Sequence, residues 1–268
     1  MIKKYLAYTL RKLGLAGVSD HLRYQLMRLI NQKENNTFKK INPLVSLPPD
    51  YLMYESFQMN YHKYYAGGHE DAQWIISLAK PYSKLLGIKI LDWGCGPARI
   101  LRHFPSLLRA ENEYYGTDYN PATIHWCQQN ISGITFSLNN LYPPLPYPDQ
   151  SFSFIYGVSV LTHLSKEGQK LWSDELYRIT THDGIVILTT HGDAFIEKLT
   201  PQEAMTYQNQ DLISRRYGKE GHRTYGTFHP PSFIRNIFEA AGFKITQHIQ
   251  GSKINENYIS QDVWILRK

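Results

Sequence analysis

The 268-residue chain holds only two cysteines, Cys95 and Cys127. They do not form a Cys-x-x-Cys pair, which speaks against a disulfide framework or a thiolate zinc site. No stretch approaches the run of about 18 apolar residues that a membrane-spanning helix requires. Arg11 and Lys12 interrupt the apolar character of the first segment, so a secretory leader is not expected and a reducing cytoplasm is. Low-complexity runs and internal repeats are also missing, which excludes a solenoid and wholesale disorder.

Acidic residues are scarce at the start of the chain. Residues 1–40 carry nine Lys or Arg against Asp20 and Glu34, a balance of +7. The remaining residues carry 20 basic and 21 acidic groups, or −1, so the net charge of +6 belongs to the arm alone. No basic stripe marks the main body, which disfavours nucleic acid as a partner. Within the arm, Ile2, Tyr5, Leu6, Thr9, Leu10 and Leu13 recur at helical spacing. Leu22, Leu26, Leu29 and Ile30 repeat the pattern after a break at Gly14–Asp20. Two readings stand open: peripheral contact of residues 1–30 with an anionic membrane or acidic partner, or a helical cap with a solvated basic face. Asn35–Pro49 reads as a linker.

From residue 71 onward, helices alternate with short apolar strands, the pattern of a parallel sheet covered on both faces. Ala72, Ile75, Ile76 and Ala79 mark a helix, and Ile88–Leu91 a buried strand. A helix through Ile100 and Phe104 is expected to end or kink at Pro105. Strands follow at Tyr114–Thr117, Ile134–Leu138, Phe152–Tyr156 and Ile185–Thr190, with Asn120-Pro121 as a helix start. A helix through Trp172 and Ile179 runs into the turn Asp183-Gly184. Residues 191–229 are polar, rich in His and Tyr, and break the rhythm. A helix at Ser232–Ala241 and two late strands, Phe243–Ile249 and Asp262–Leu266, close the chain as an antiparallel pair.

The loop Asp92-Trp93-Gly94-Cys95-Gly96 follows the first strand and opens a helix, the nucleotide-binding corner of a doubly wound sheet. A dinucleotide fingerprint wants a third glycine where Arg99 stands. Asp92 would repel a pyrophosphate but suits an ammonium group. Asp118, at the end of the second strand, can accept two hydrogen bonds from a ribose diol. An acid before the loop and another after the next strand favour an adenosine ligand with a cationic amino-acid tail. Cys95 sits by a helix start, where thiol pKa falls, but it has no basic partner in sequence and reads as a small loop residue.

The run Ile90–Arg99 resembles the first motif of class I S-adenosylmethionine-dependent methyltransferases. Tyr115-Gly116-Thr117-Asp118-Tyr119-Asn120-Pro121 is similar to their second-strand acid motif, and Leu145–Tyr156 to the approach to strand four. Ser159–Leu164, Glu175–Thr180 and Asp183-Gly184 continue the series. Covering residues 70–268, the resemblance implies a Rossmann-like, doubly wound seven-stranded sheet with its last strand antiparallel. It also implies S-adenosyl-L-methionine as cofactor. It is strongest toward small-molecule-type bacterial methyltransferases with a helical N-terminal extension, here residues 1–69. By position, Asp92, Gly94, Cys95 and Gly96 would border the methionine and ribose. Asp118 would bind the ribose hydroxyls, and Tyr119 would pack on the adenine. Asn139, Asn140 and Leu141 would meet the adenine edge, and Tyr156 and Gly157 would lie near the sulfonium. Ser153 departs from the aspartate usual before strand four.

Methyl transfer from a sulfonium is an in-line displacement that needs positioning first, and a base only if the acceptor proton leaves early. His163 after strand four and His191 after strand five fall at the ligand-binding sheet edge and are the candidate bases. Residues 191–229, with Tyr207, Tyr217, His222, Tyr225 and His229, form a candidate acceptor lid. Asn140-Leu141-Tyr142-Pro143-Pro144 precedes strand four, the wrong side for the motif of nucleic-acid amino-methyltransferases, so a flipped base is not expected. A small or glycan-like acceptor, methylated on oxygen or nitrogen, is the expectation. A protein or tRNA substrate docked by the basic arm, and a non-catalytic cofactor-binding protein, are its rivals.

Overall fold

A computed structural model describes residues 16–57, 59–108, 111–216, 218–256 and 258–268. The stripe from Ile2 to Leu13, and Tyr217, lie outside the described residues. Three helices come first: α1 (Ala16–Ile41), α2 (Asp50–Phe57) and α3 (Tyr61–Ala79). Strand β1 (Lys89–Trp93) then leads through the glycine loop and a 3-10 turn into the short α4 (Phe104–Leu108). The central units are β2 (Glu113–Asp118), α5 (Pro121–Asn130), β3 (Thr135–Leu138), β4 (Phe152–Gly157), α6 (Lys166–Ile179) and β5 (Thr180–Thr190). The insertion contributes α7 (Pro201–Gln208) and the hairpin β6 (Ile213–Arg215)–β7 (Gly226–Phe228). The chain closes with α8 (Pro231–Ala241), β8 (Lys244–Ile249), a hairpin β9 (Lys253–Asn255)–β10 (Tyr258–Ile259), and β11 (Asp262–Arg267).

Seven strands form one sheet in the order β3-β2-β1-β4-β5-β11-β8, with β11 antiparallel to both neighbours. The Rossmann-like sheet with an antiparallel last strand is therefore present. Strand periodicity assigns its faces. Ile90 packs with Ile75, Phe104 and Ile124 under α3 and α5. Leu91 and Trp93 point the other way, onto Trp172, Leu176 and Phe238 of α6 and α8. Local chemistry sets the ends of the elements. The Asn120 side chain accepts from the N–H groups of Ala122 and Thr123, with Pro121 in the first turn of α5. Ser165 caps α6 by accepting from Gly168 N.

Several boundaries differ from the sequence reading. Helix α1 runs from Ala16 to Ile41, through part of the expected break and the first residues of the expected linker. Asn35 explains the extension: its amide donates to Met59 O at 2.8 Å and its Oδ1 accepts from Tyr61 N at 2.9 Å, so a polar residue is buried in place of a leucine. Pro105 stands in the first turn of α4, where its missing N–H costs no helical bond, so it opens a helix and does not end one. The turn Asp183-Gly184 is absorbed into β5, whose pairing with β4 shifts register there.

Candidate functional site

The carboxyl ends of β1, β2 and β4 surround a cavity of about 450 Å³, within the range of roughly 300–1,000 Å³ usual for small-molecule sites. Gly94, with φ of +73°, makes the sharp turn at its floor, and a Cβ there would stand 2.5 Å from Val160 Cγ2. Asp118 at the tip of β2 pins the loop: its Oδ2 accepts from Gly96 N at 2.9 Å and its Oδ1 from Asn120 N at 2.8 Å. Asp118 thus stands on the cavity wall as part of the loop it holds.

Asp92 is buried at the end of β1. Its registered neighbour on β4 is Tyr156, and the two side chains share a sheet face. The Tyr156 hydroxyl donates to Asp92 Oδ2 at 2.8 Å. Burial pushes the Asp92 carboxyl up to about 7, with the Asp118 charge adding to the rise and the Tyr156 hydrogen bond opposing it. Burial also raises the Cys95 thiol far above its ordinary range, which suits a loop residue and not a nucleophile.

Of the residues singled out from the sequence, Asp92, Gly94, Cys95, Gly96, Asp118, Tyr119, Asn139, Leu141 and His163 line this cavity. Asn140, Tyr156, Gly157 and His191 do not. Tyr156 lies behind Asp92, stacked on Phe104 at 5.1 Å. Gly157 faces inward, where a Cβ would meet Trp93 at 2.8 Å. His191 is packed on Phe195, with its Nδ1 donating to Thr227 O at 3.0 Å.

His163 stands on the cavity wall with its Nδ1 2.8 Å from Tyr225 O. A carbonyl only accepts, so Nδ1 carries the proton and Nε2 is the acceptor in the neutral ring. Burial lowers its pKa and favours that neutral form.

Sequence reasoning placed Ser159 and Val160 in the segment after strand four but gave no site role to them or to Val158, Thr123 and Arg223, all on the cavity wall. Ser159 holds a left-handed conformation (φ +63°) just past β4, and its N–H donates to Thr189 Oγ1. The only signal in sequence for Arg223 was the run Gly221-His222-Arg223 inside the polar insertion. That run lies over the cavity: Gly221 N donates to His163 O at 2.9 Å, and a Cβ on Gly221 would touch Leu141 and Tyr119. Glu220 anchors one side, accepting from Ser165 N at 2.7 Å and from the Tyr142 hydroxyl at 2.8 Å. Arg223 anchors the other through an ion pair with Asp20 of α1, while stacking over the Tyr54 ring of α2 at 4.1 Å.

The first helices also grip the glycine loop. The Tyr64 hydroxyl donates to Pro97 O at 2.7 Å, and Arg99 on the cavity wall pairs with Asp71 at 2.6 Å. Helix α3, which carries both Tyr64 and Asp71, runs unbroken across residue 70. Among the described residues, no group of His, Cys, Asp and Glu side chains is arranged to hold a metal ion.

Residues 90–184 match the family model described as a methyltransferase domain. These residues form a class I S-adenosylmethionine-dependent methyltransferase domain. The chain is thus a methyltransferase, and its cofactor is S-adenosylmethionine. The fold is shared with magnesium protoporphyrin IX methyltransferase from Synechocystis PCC 6803, solved with bound S-adenosylhomocysteine. That likeness has 16% identity and a TM-score of 0.54 over 90% of this chain and 98% of that one. A methyltransferase from Methanosarcina mazei matches at 16% identity and TM-score 0.54, over 71% of this chain and 96% of its own. The partner of the Trm112 methyltransferase activator in a Haloferax volcanii complex matches at 11% identity and TM-score 0.55, over 83% and 99%. No described helix of the methyltransferase is long and apolar enough to cross a membrane.

Proposed function

We propose that this methyltransferase methylates an oxygen or nitrogen of a small-molecule or glycan-like acceptor, with His163 as the general base. One observation carries the reading: a neutral His163, its Nδ1 committed to Tyr225 O, borders a cavity roofed by the segment Gly221–Arg223. A roofed site suits an acceptor small enough to enter it, or the end of a glycan. In this reading residues 1–69 form the helical extension, residues 70–268 the methyltransferase domain, and residues 191–229 the acceptor lid.

When bound, S-adenosylmethionine supplies an electrophilic methyl group on a sulfonium. The chain's own residues do the positioning. Asp92 and the Gly94–Gly96 backbone would border the methionine and ribose, and Asp118, a carboxylate on the cavity wall, would hold the ribose hydroxyls. Tyr119 would pack on the adenine, with Asn139 and Leu141, also on the cavity wall, at its edge. Val158, Ser159 and Val160 wall the region where the acceptor approaches. Tyr156 acts through Asp92, and His191 holds β7 in place. His163 takes the acceptor proton on Nε2 as the nucleophile attacks, a role worth about 10²–10⁴ in rate for a hydroxyl acceptor.

A macromolecular acceptor is the second reading, favoured by the basic arm and by the structural neighbour that assembles with the Trm112 activator. Transfer of labelled methyl to fractionated extract separates the two. Label in the small-molecule or glycan fraction, lost in His163→Gln while cofactor binding by calorimetry persists, is the expected result. Label confined to protein or tRNA would overturn the proposal.

A further inference from the structure

Helix α1 keeps its aliphatic residues off its inner face. That face is aromatic and polar: Phe38 packs with Met53, Tyr61 and Tyr64, and Tyr24 lies against Tyr51 and Tyr54. Asn35 is buried beside them, Asn31 and Glu34 accept from the Asn60 amide at 3.0 and 2.7 Å, and Asp20 pairs with Arg223. Its outer face carries Val18, Leu22, Leu26, Leu29 and Ile30, each more than half exposed, from 52% at Leu26 to 70% at Leu29. Steps of four, four and three residues place Val18, Leu22, Leu26 and Leu29 on one stripe. Burying asparagines while exposing leucines runs against the hydrophobic effect, unless the outer face is covered in the working protein.

Charge identifies the cover. Both acids of residues 1–40 are engaged on the inner side, Asp20 with Arg223 and Glu34 with Asn60. Arg23, Lys33 and Lys40 are exposed on or beside the outer stripe. A second copy of this face, or the equally basic residues 1–15 folded over it, would bring like charges together. An anionic bilayer surface accepts the aliphatic stripe at the headgroup boundary and neutralises the flanking cations.

We propose that the outer face of α1 docks the methyltransferase in the plane of an anionic membrane surface. The proposal stands independently of the acceptor chosen above. The docked helix is joined to the cavity wall by the Asp20–Arg223 pair, which links the membrane-facing element to the site.

The test is sedimentation of the full chain with vesicles of phosphatidylcholine alone and of phosphatidylcholine with about one third phosphatidylglycerol. Wild type is expected on the anionic vesicles only, with binding that falls as salt rises. The triple variant Leu22→Ser/Leu26→Ser/Leu29→Ser should lose that binding. Arg23→Gln/Lys33→Gln/Lys40→Gln should lower the partition coefficient by about a hundredfold. All these positions are exposed, and unchanged calorimetric affinity for S-adenosylmethionine confirms that each variant is folded. Equal partition onto both vesicle types, or full binding by the leucine variant, would overturn the proposal. So would a wild-type dimer by light scattering that the leucine variant dissolves, which assigns the face to a second copy. Leucine-dependent binding to polyglutamate with none to vesicles would hand the face to an acidic protein instead.

Discussion

The Tyr156 hydroxyl donates to Asp92 Oδ2 across 2.8 Å, from the position paired with Asp92 on the neighbouring strand. That bond is the main local force opposing the rise of the Asp92 pKa to about 7, which burial causes. The folded apo-protein therefore holds the Asp92 proton more tightly than the unfolded chain, whose value is near 4. The associated stability is fully present below about pH 4 and is lost as pH rises through 7, amounting to at most about 4 kcal/mol. Asp92→Asn should flatten that pH dependence in thermal melts of the apo-protein and stabilise it at pH 8. Tyr156→Phe should move the midpoint upward in pH. A melt profile identical to wild type in Asp92→Asn would show that Asp92 does not titrate there.

Asp118 holds the loop, and in the proposed reading the same carboxylate binds the ribose of the cofactor. Asp118→Ala strips the acceptor from both Gly96 N and Asn120 N. We expect S-adenosylmethionine to bind about 1–3 kcal/mol more weakly by calorimetry. Wild-type affinity in a folded variant would refute any ribose contact by Asp118.

Helix α3 approaches the glycine loop through Gly68, where a Cβ would stand 2.2 Å from Arg99 O. That oxygen belongs to the backbone, so Gly68→Ala must move the helix or the loop. A loss of about 1–3 kcal/mol in unfolding free energy is expected, with weakened cofactor binding alongside it. A variant that melts and binds as wild type would show that α3 is free to shift.

Two histidines after neighbouring strands should behave differently on substitution. His163→Gln is expected to lower kcat by about a hundredfold or more while leaving cofactor affinity within about twofold. His191→Gln breaks the bond to Thr227 O and should lower the melting temperature more than kcat. The reverse pattern would move the base from His163 to His191.

The ion pair between Asp20 and Arg223 holds the cavity roof to the first helix. Asp20→Ala leaves Arg223 without that partner at a site where its side chain is only 20% exposed. A rise in acceptor KM of about tenfold, with cofactor affinity little changed, is the expected reading of a loosened lid. An unaltered KM would mean that Glu220 alone secures the roof.

Much of this was legible in the sequence because it depends on short-range rules. Strand periodicity, the Gly94–Gly96 turn, the Asn120-Pro121 helix start and the acids at the ends of β1 and β2 all act over a few residues. They are enough to indicate a parallel sheet, an adenosine-binding corner and a late antiparallel pair; the seven-stranded topology comes from the family resemblance. Which side chains meet across the fold is a different matter. Tyr156 reaches the cavity only through Asp92, because the parallel register of β1 and β4 puts both on one face. Arg223 is held at the cavity wall by Asp20 and Tyr54, residues about 200 and 170 positions away in sequence, together with the Gly221 and Glu220 contacts beside it. The leucines of α1 face outward because Phe38 and Tyr24 pack against the aromatic side chains of α2 and α3, while Asn31, Glu34 and Asn35 find hydrogen-bond partners in the turn before α3. Helical spacing reveals that a stripe exists; only the packing of neighbouring elements, through the partners it offers each face, decides which way the stripe points.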